Sequence, residues 1–249
     1  MVGPVLKRIL PLCLAALVLL ACSRDDDESD HKQTGTGSAG DGAATAKVRT
    51  LPQEGALPAG RYSTGESFEP SFSFELGEGW LVLRTSGTRS LKLGYAAPGQ
   101  EVAQGKGLRF LDVREVFEPR ERGGGVLFEA KPAPEDLVAW LLRHPYLGTE
   151  EPKPADVSGV PAKRLGADVD VPEGYRSVEG GCAVPCIPLF RAGSGSVSYL
   201  TEKGESRIIV PRDIEGETVA IIVSAPTEKF EEFLPEAQEV LGTVEWGGL

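Results

Sequence analysis

Phe72-Ser73-Phe74-Glu75-Leu76-Gly77-Glu78-Gly79-Trp80 is the stretch on which the fold class turns. Phe72, Phe74 and Leu76 alternate with Ser73 and Glu75, the period of two that places three large apolar groups on one face of a strand. Gly77-Glu78-Gly79 supplies a turn and residues 80–84 a returning strand, so a hairpin is expected here. Further apolar runs at 91–95, 108–113 and 126–130 are separated by Gly, Pro and charged clusters, which makes the first half of the chain mostly sheet.

C-terminal to these runs, Pro134-Glu135-Asp136-Leu137-Val138-Ala139-Trp140-Leu141-Leu142-Arg143-His144 has the marks of a helix. Proline suits a first helical position, two carboxylates face the positive end of the dipole, and Pro145 stops the element. A strand over 160–169 follows the turn Ser158-Gly159. The last third reads as strands at 187–191, 196–201, 206–210 and 218–224, a helix over 227–241 that Pro235 should kink or restart, and a closing strand at 243–246 that completes the sheet. Ile208-Ile209-Val210 and Val219-Ala220-Ile221-Ile222-Val223 are apolar on both faces, as central strands covered on two sides are.

The order of these elements is similar to the PsbP-like fold. The resemblance rests on the 72–80 start, the Pro134 helix, Gly159-Val160-Pro161-Ala162 with its strand, the paired apolar strands and a last helix running into Thr243-Val244-Glu245-Trp246. It covers residues 70–247 and includes lipoproteins of the LpqN type. The resemblance implies an α+β fold, a central, mainly antiparallel sheet with packed helices in an α/β/α sandwich, and a binding or scaffolding role without a catalytic centre.

The chain opens on a short basic start, Lys7-Arg8, and an apolar run, 9–21, that is short for a bilayer core and ends in small residues. Leu19-Leu20-Ala21-Cys22 resembles the lipobox of bacterial lipoproteins. That resemblance implies a signal peptide over 1–21, a diacylglycerol on the Cys22 sulfur, and an address on the outer face of the cell membrane, or in the outer membrane of a two-membrane cell. Two or more acyl chains anchor durably, so no spanning helix is required. Residues 22–57 are acidic and then rich in Gly, Ser, Thr and Ala, a disordered tether. Its Gly35-Thr36-Gly37-Ser38-Ala39-Gly40 matches a phosphate-loop pattern by chance, having no strand before it and no helix after. Residues 58–249 are expected to form one globular domain.

The net charge is −11, with 26 basic and 37 acidic side chains. This argues against nucleic acid as a partner and opposes contact of the domain with anionic headgroups, leaving Cys22 as the expected membrane contact. After residue 21 the chain has neither Asn nor Met, a bias shared by heat-adapted proteins and GC-rich genomes, and both origins stay open.

Outside the cytoplasm, Cys182 and Cys186 are expected to form a disulfide that pins one loop, contributing about 2 kcal/mol. The alternatives are a redox dithiol, disfavoured by the three-residue spacing, and a metal site, disfavoured by the shortage of histidine. His144 reads as an imidazolium complementing the end of a helix, with a general base as the alternative. Asp168-Val169-Asp170 reads as a strand end rather than a calcium loop. No catalytic residue, metal or cofactor is assigned. The expectation is a monomeric, lipid-anchored binding or scaffolding module for an envelope protein, polymer or small molecule. A hydrolase or a ligand-free spacer are the alternatives.

Overall fold

A computed structural model describes residues 47–83, 89–97, 99, 105–122, 125–172, 175 and 185–247. The strands are β1 (Arg49–Thr50), β2 (Gly55–Ala56), β3 (Gly60–Ser63), β4 (Phe72–Leu76), β5 (Trp80–Leu83), β6 (Ser90–Tyr95), β7 (Gly107–Arg122) and β8 (Gly125–Pro132). Helix α1 (Leu137–Arg143) precedes β9 (Leu147–Thr149), β10 (Lys153–Val157), β11 (Val160–Val169), β12 (Cys186–Ala192), β13 (Val197–Thr201), β14 (Gly204–Pro211) and β15 (Val219–Pro226). Helix α2 (Thr227–Leu241) and β16 (Glu245–Trp246) close the order. With 54% strand and two helices, the described chain is mainly β, built on the large antiparallel sheet that was expected and a small mixed sheet beside it.

A long antiparallel sheet runs β10-β11-β14-β15-β7-β6-β5-β2, with β9 on β11. Its middle strand, β7, is shared. Residues 107–112 pair with β6 and β15, and beyond them the strand pairs with β12 and β8, while β13 pairs with β12. A small mixed sheet runs β1-β3-β4-β16, in which β1 and β3 are parallel.

Alternation along the central strands builds two cores. Phe110 on β7, with Ile221 and Val223 on β15, face the first, together with Phe72 and Phe74 of the small sheet and Phe230, Phe233 and Ala237 of α2. Leu111, Ala220 and Ile222 face the second, with Ile187, Leu189 and Phe190 of β12 and Trp140 and Leu141 of α1. The apolar runs at 208–210 and 219–223 are therefore covered on both sides, as expected.

The expected hairpin at 77–79 does not form. β4 pairs with β3 and β16, while β5 pairs with β6 and β2, so the turn carries the chain from one sheet to the other. The alternation survives the crossing: Phe72, Phe74, Leu76, Trp80 and Val82 all reach the first core. Gly79 has φ +89°, and a Cβ built on it would stand 2.3 Å from the Ala96 carbonyl oxygen. The Gly79 carbonyl accepts the Ala96 N–H at 2.9 Å. Only glycine fits so tight a corner.

Other boundaries move for local reasons. β7 is far longer than the run at 108–113, because Arg114, Glu118 and Arg120 lie on its wet side and interrupt no pairing. Pro119 is tolerated because pairing with β12 ends at Val116, leaving that edge free. α1 starts at Leu137 rather than Pro134, since the Asp136 side chain accepts the Ala139 N–H at 2.8 Å and caps the helix there. α2 runs through Pro235 without a restart. β16 closes the small sheet, not the large one. The tether expected through residue 57 gives way to fold from residue 49: β1 pairs with β3, β2 pairs with β5, and Leu51 and Leu57 are buried in the first core. No helix among the described residues is long and apolar enough to cross a membrane.

Candidate functional site

An open cleft with about 80 Å³ of free volume lies where β11 meets β9, β10 and β14. It is lined by Glu150, Lys153, Arg164, Leu165, Gly166 and Arg207. Pairing register explains their convergence. Lys153 stands opposite Arg164, and Gly166 opposite Arg207. Arg164 and Gly166 share the face of Ala162, and Arg207 that of Ile209, both of which belong to the first core.

Glycine at 166 makes room: a Cβ there would stand 2.9 Å from the Glu150 carboxyl carbon. The Glu150 N–H donates to the Gly166 carbonyl at 3.2 Å, fixing the chain that carries this carboxylate over the sheet. Two more acids are coupled to it. Burial raises the Asp168 pKa and the Glu150 charge raises it further. Burial, then Asp168 and Glu231, raise that of Glu205. Among the described ion pairs none engages Glu150, Lys153, Arg164 or Arg207. Arg207 instead rests 5.4 Å from the Phe230 ring centre. The cleft thus holds three cations and an anion that form no ion pair among the described residues.

A second cluster is paired. Asp112, fully buried, accepts from Arg89 Nη1 at 2.5 Å and Arg114 Nε at 2.9 Å, and Arg114 Nη2 reaches Glu217 at 2.6 Å. The bond to Asp112 holds the Arg89 guanidinium above its ordinary pKa. Gly193 leaves room for this pairing, for a Cβ there would stand 2.2 Å from Arg89 Cδ. The cluster joins β7 to the turn before β15 where the long strand changes partners; both arginines reach Asp112 Oδ2, while its Oδ1 is buried with no hydrogen-bond partner among the described residues.

Of the residues singled out in the sequence, His144 caps α1 and is 6% exposed. Its Nδ1 accepts the Tyr146 N–H at 3.3 Å, and the Trp140 and Tyr146 rings stand edge-on at 5.2 and 6.3 Å. Burial lowers its pKa to about 4 against a smaller upward pull from the Phe117 backbone. It is neutral at physiological pH, which corrects the expected imidazolium: a dipole worth under about 1 kcal/mol at an exposed end does not offset desolvation of a buried ring. Asp168 lies on β11 and Asp170 just beyond it, the expected strand end, and among the described residues no three metal-ligating side chains cluster. Cys186 is buried at the start of β12. Cys22 and Cys182 lie outside the described residues, as do the 1–21 leader and the 35–40 glycine pattern.

Sequence reading missed the cleft because its members look like the ordinary polar half of alternating strands. The one available signal is Lys153 and Arg164 straddling the tight Ser158-Gly159 turn, which implies like charges across a hairpin. No family model matches the chain, and no curated protein matches it.

Proposed function

We propose that this chain is a lipid-anchored extracytoplasmic binding module, held to a membrane through Cys22, whose domain engages a charged ligand or envelope partner at the β11 cleft without catalysis. The observation that carries the binding role is the set of four charges in the cleft that form no ion pair among the described residues. Leaving them so costs stability on opposed strands, a cost that a complementary partner offsets. The lining residues include no serine, cysteine or histidine, so no hydroxyl, thiol or imidazole nucleophile is among them. Leu142 is the one large apolar side chain exposed among the described residues, which favours recognition by charge and a monomeric domain.

The PsbP-like assignment is part of the same proposal. It is supported by α1 and α2 contributing to opposite cores of one long antiparallel sheet, the layering of an α/β/α sandwich. A Cys182–Cys186 bridge at the entry to β12 is proposed with it.

The binding role is tested in cells by a photo-crosslinking residue at Lys153. The expected result is a discrete cross-linked product that disappears when Arg164→Glu reverses the neighbouring charge. An unchanged pattern with Arg164→Glu, or no product, contradicts a binding cleft and favours a spacer.

A further inference from the structure

We propose that Lys92 and Arg109 form a second site, for an oxyanion of the phosphate or carboxylate type, on the face of the long sheet opposite the β11 cleft. The two residues are direct partners in the β6–β7 register. Their neighbours Leu91, Leu93, Leu108 and Phe110 fill the first core, so alternation turns both cations to the other face. There β13 holds the guanidinium, with Arg109 Nη1 donating to Ser198 Oγ at 3.1 Å and to the Tyr199 carbonyl at 3.5 Å.

Among the described residues these contacts leave most of the five guanidinium N–H donors unused, and the Lys92 ammonium makes none. Among the described residues neither cation has a carboxylate within 4 Å. Like charges directly opposed across strands destabilise a sheet, and partial burial sharpens the conflict. Burial, then the Arg109 charge, lowers the Lys92 pKa, and burial lowers that of Arg109. An anion between them removes both penalties.

The surroundings fit a small group rather than a large ligand. The hollow holds about 10 Å³ and is lined by Leu83, Gly107 and Ser224 as well as the two cations. Gly107 brings the backbone close, since a Cβ there would stand 2.0 Å from the Leu93 carbonyl oxygen. Ser224 spends its hydroxyl on the Gly105 carbonyl at 2.9 Å. Lys106 also borders the hollow, but its ammonium lies over the Tyr95 and Phe233 rings at 4.7 and 5.5 Å. Recognition therefore falls to Lys92 as a point charge and Arg109 as a planar fork, a combination suited to one oxyanion group.

Thermal unfolding of the full chain tests this, with inorganic phosphate and acetate as separate probes against NaCl of equal ionic strength. The site predicts that at least one probe raises the melting temperature, by roughly 3 to 6 °C at ten times its dissociation constant. Lys92→Met is expected to melt higher than the parent in NaCl, because the like-charge conflict is gone, and to lose the response to the probe. Should Lys92→Met fail to fold, Lys92→Gln and broadening of the phosphate ³¹P resonance by the parent chain read the same site. No response beyond NaCl with either probe, or an equal response in the Lys92 variant, overturns the proposal. The β11 cleft retains its own test whichever way this one falls.

Discussion

Two buried polar side chains set testable limits on single residues. His144 is neutral in the fold with a pKa near 4, against about 6.5 in an unfolded chain. The unfolded state therefore takes up a proton first, so the stabilising contribution is complete above pH 6.5 and is lost as pH falls towards 4. Urea unfolding of the parent and His144→Phe is expected to show the parent losing up to about 3 kcal/mol more between pH 7 and pH 4. Equal slopes would show that the ring is not held neutral. Asp112, buried beneath two arginines, is the other case. Because Arg89 and Arg114 are 25% and 44% exposed and regain water, Asp112→Ala is expected to cost about 2 kcal/mol, below the usual loss for a fully buried pair. Glu217, a rim partner at 26% exposure, should cost under about 1 kcal/mol by the same measurement. Neither side chain betrays its state in the sequence. Asp112 sits in an apolar run and His144 before a proline, and only the elements packed over them decide what is buried.

At the scale of elements, alternation proved more durable than pairing. The 72–82 stretch directs the expected side chains to one core, yet its strands belong to different sheets. A period of two says which face is buried and nothing about which neighbour supplies the hydrogen bonds. The corner can be probed directly. Gly79→Ala is expected to lower stability by about 2 kcal/mol or more, through its positive φ and the Ala96 carbonyl, whereas Gly77→Ala, with open space around it, should be near neutral. Equal effects at 77 and 79 would refute the tight crossing. The strand at 160–169 was legible to the residue because Ser158-Gly159 and a clean alternation bound it. β7 was legible only in its first third, because charges on a wet strand face resemble a loop when read in one dimension. The β11 cleft was illegible for the same reason, its charges being drawn from strands that register alone brings together.

For the whole molecule, the two-sided sheet makes its N-terminal edge part of the fold. Leu51 and Leu57 are buried at 6% and 4%. A chain starting at residue 58 is therefore expected to be less stable than one starting at residue 47 by about 3 kcal/mol or more, from two lost leucine burials, in denaturant melts. Equal midpoints would put the start of the domain at residue 58 after all. The proposed function takes this domain to be an acidic binding module whose membrane contact is an acyl group on Cys22. The most direct measurement is expression of the full chain in a bacterium fed an alkyne-tagged palmitate, followed by membrane fractionation of the parent and Cys22→Ser. The account predicts a labelled, membrane-bound parent and an unlabelled variant released from the membrane; an unlabelled parent, or a variant that stays membrane-bound, would contradict it.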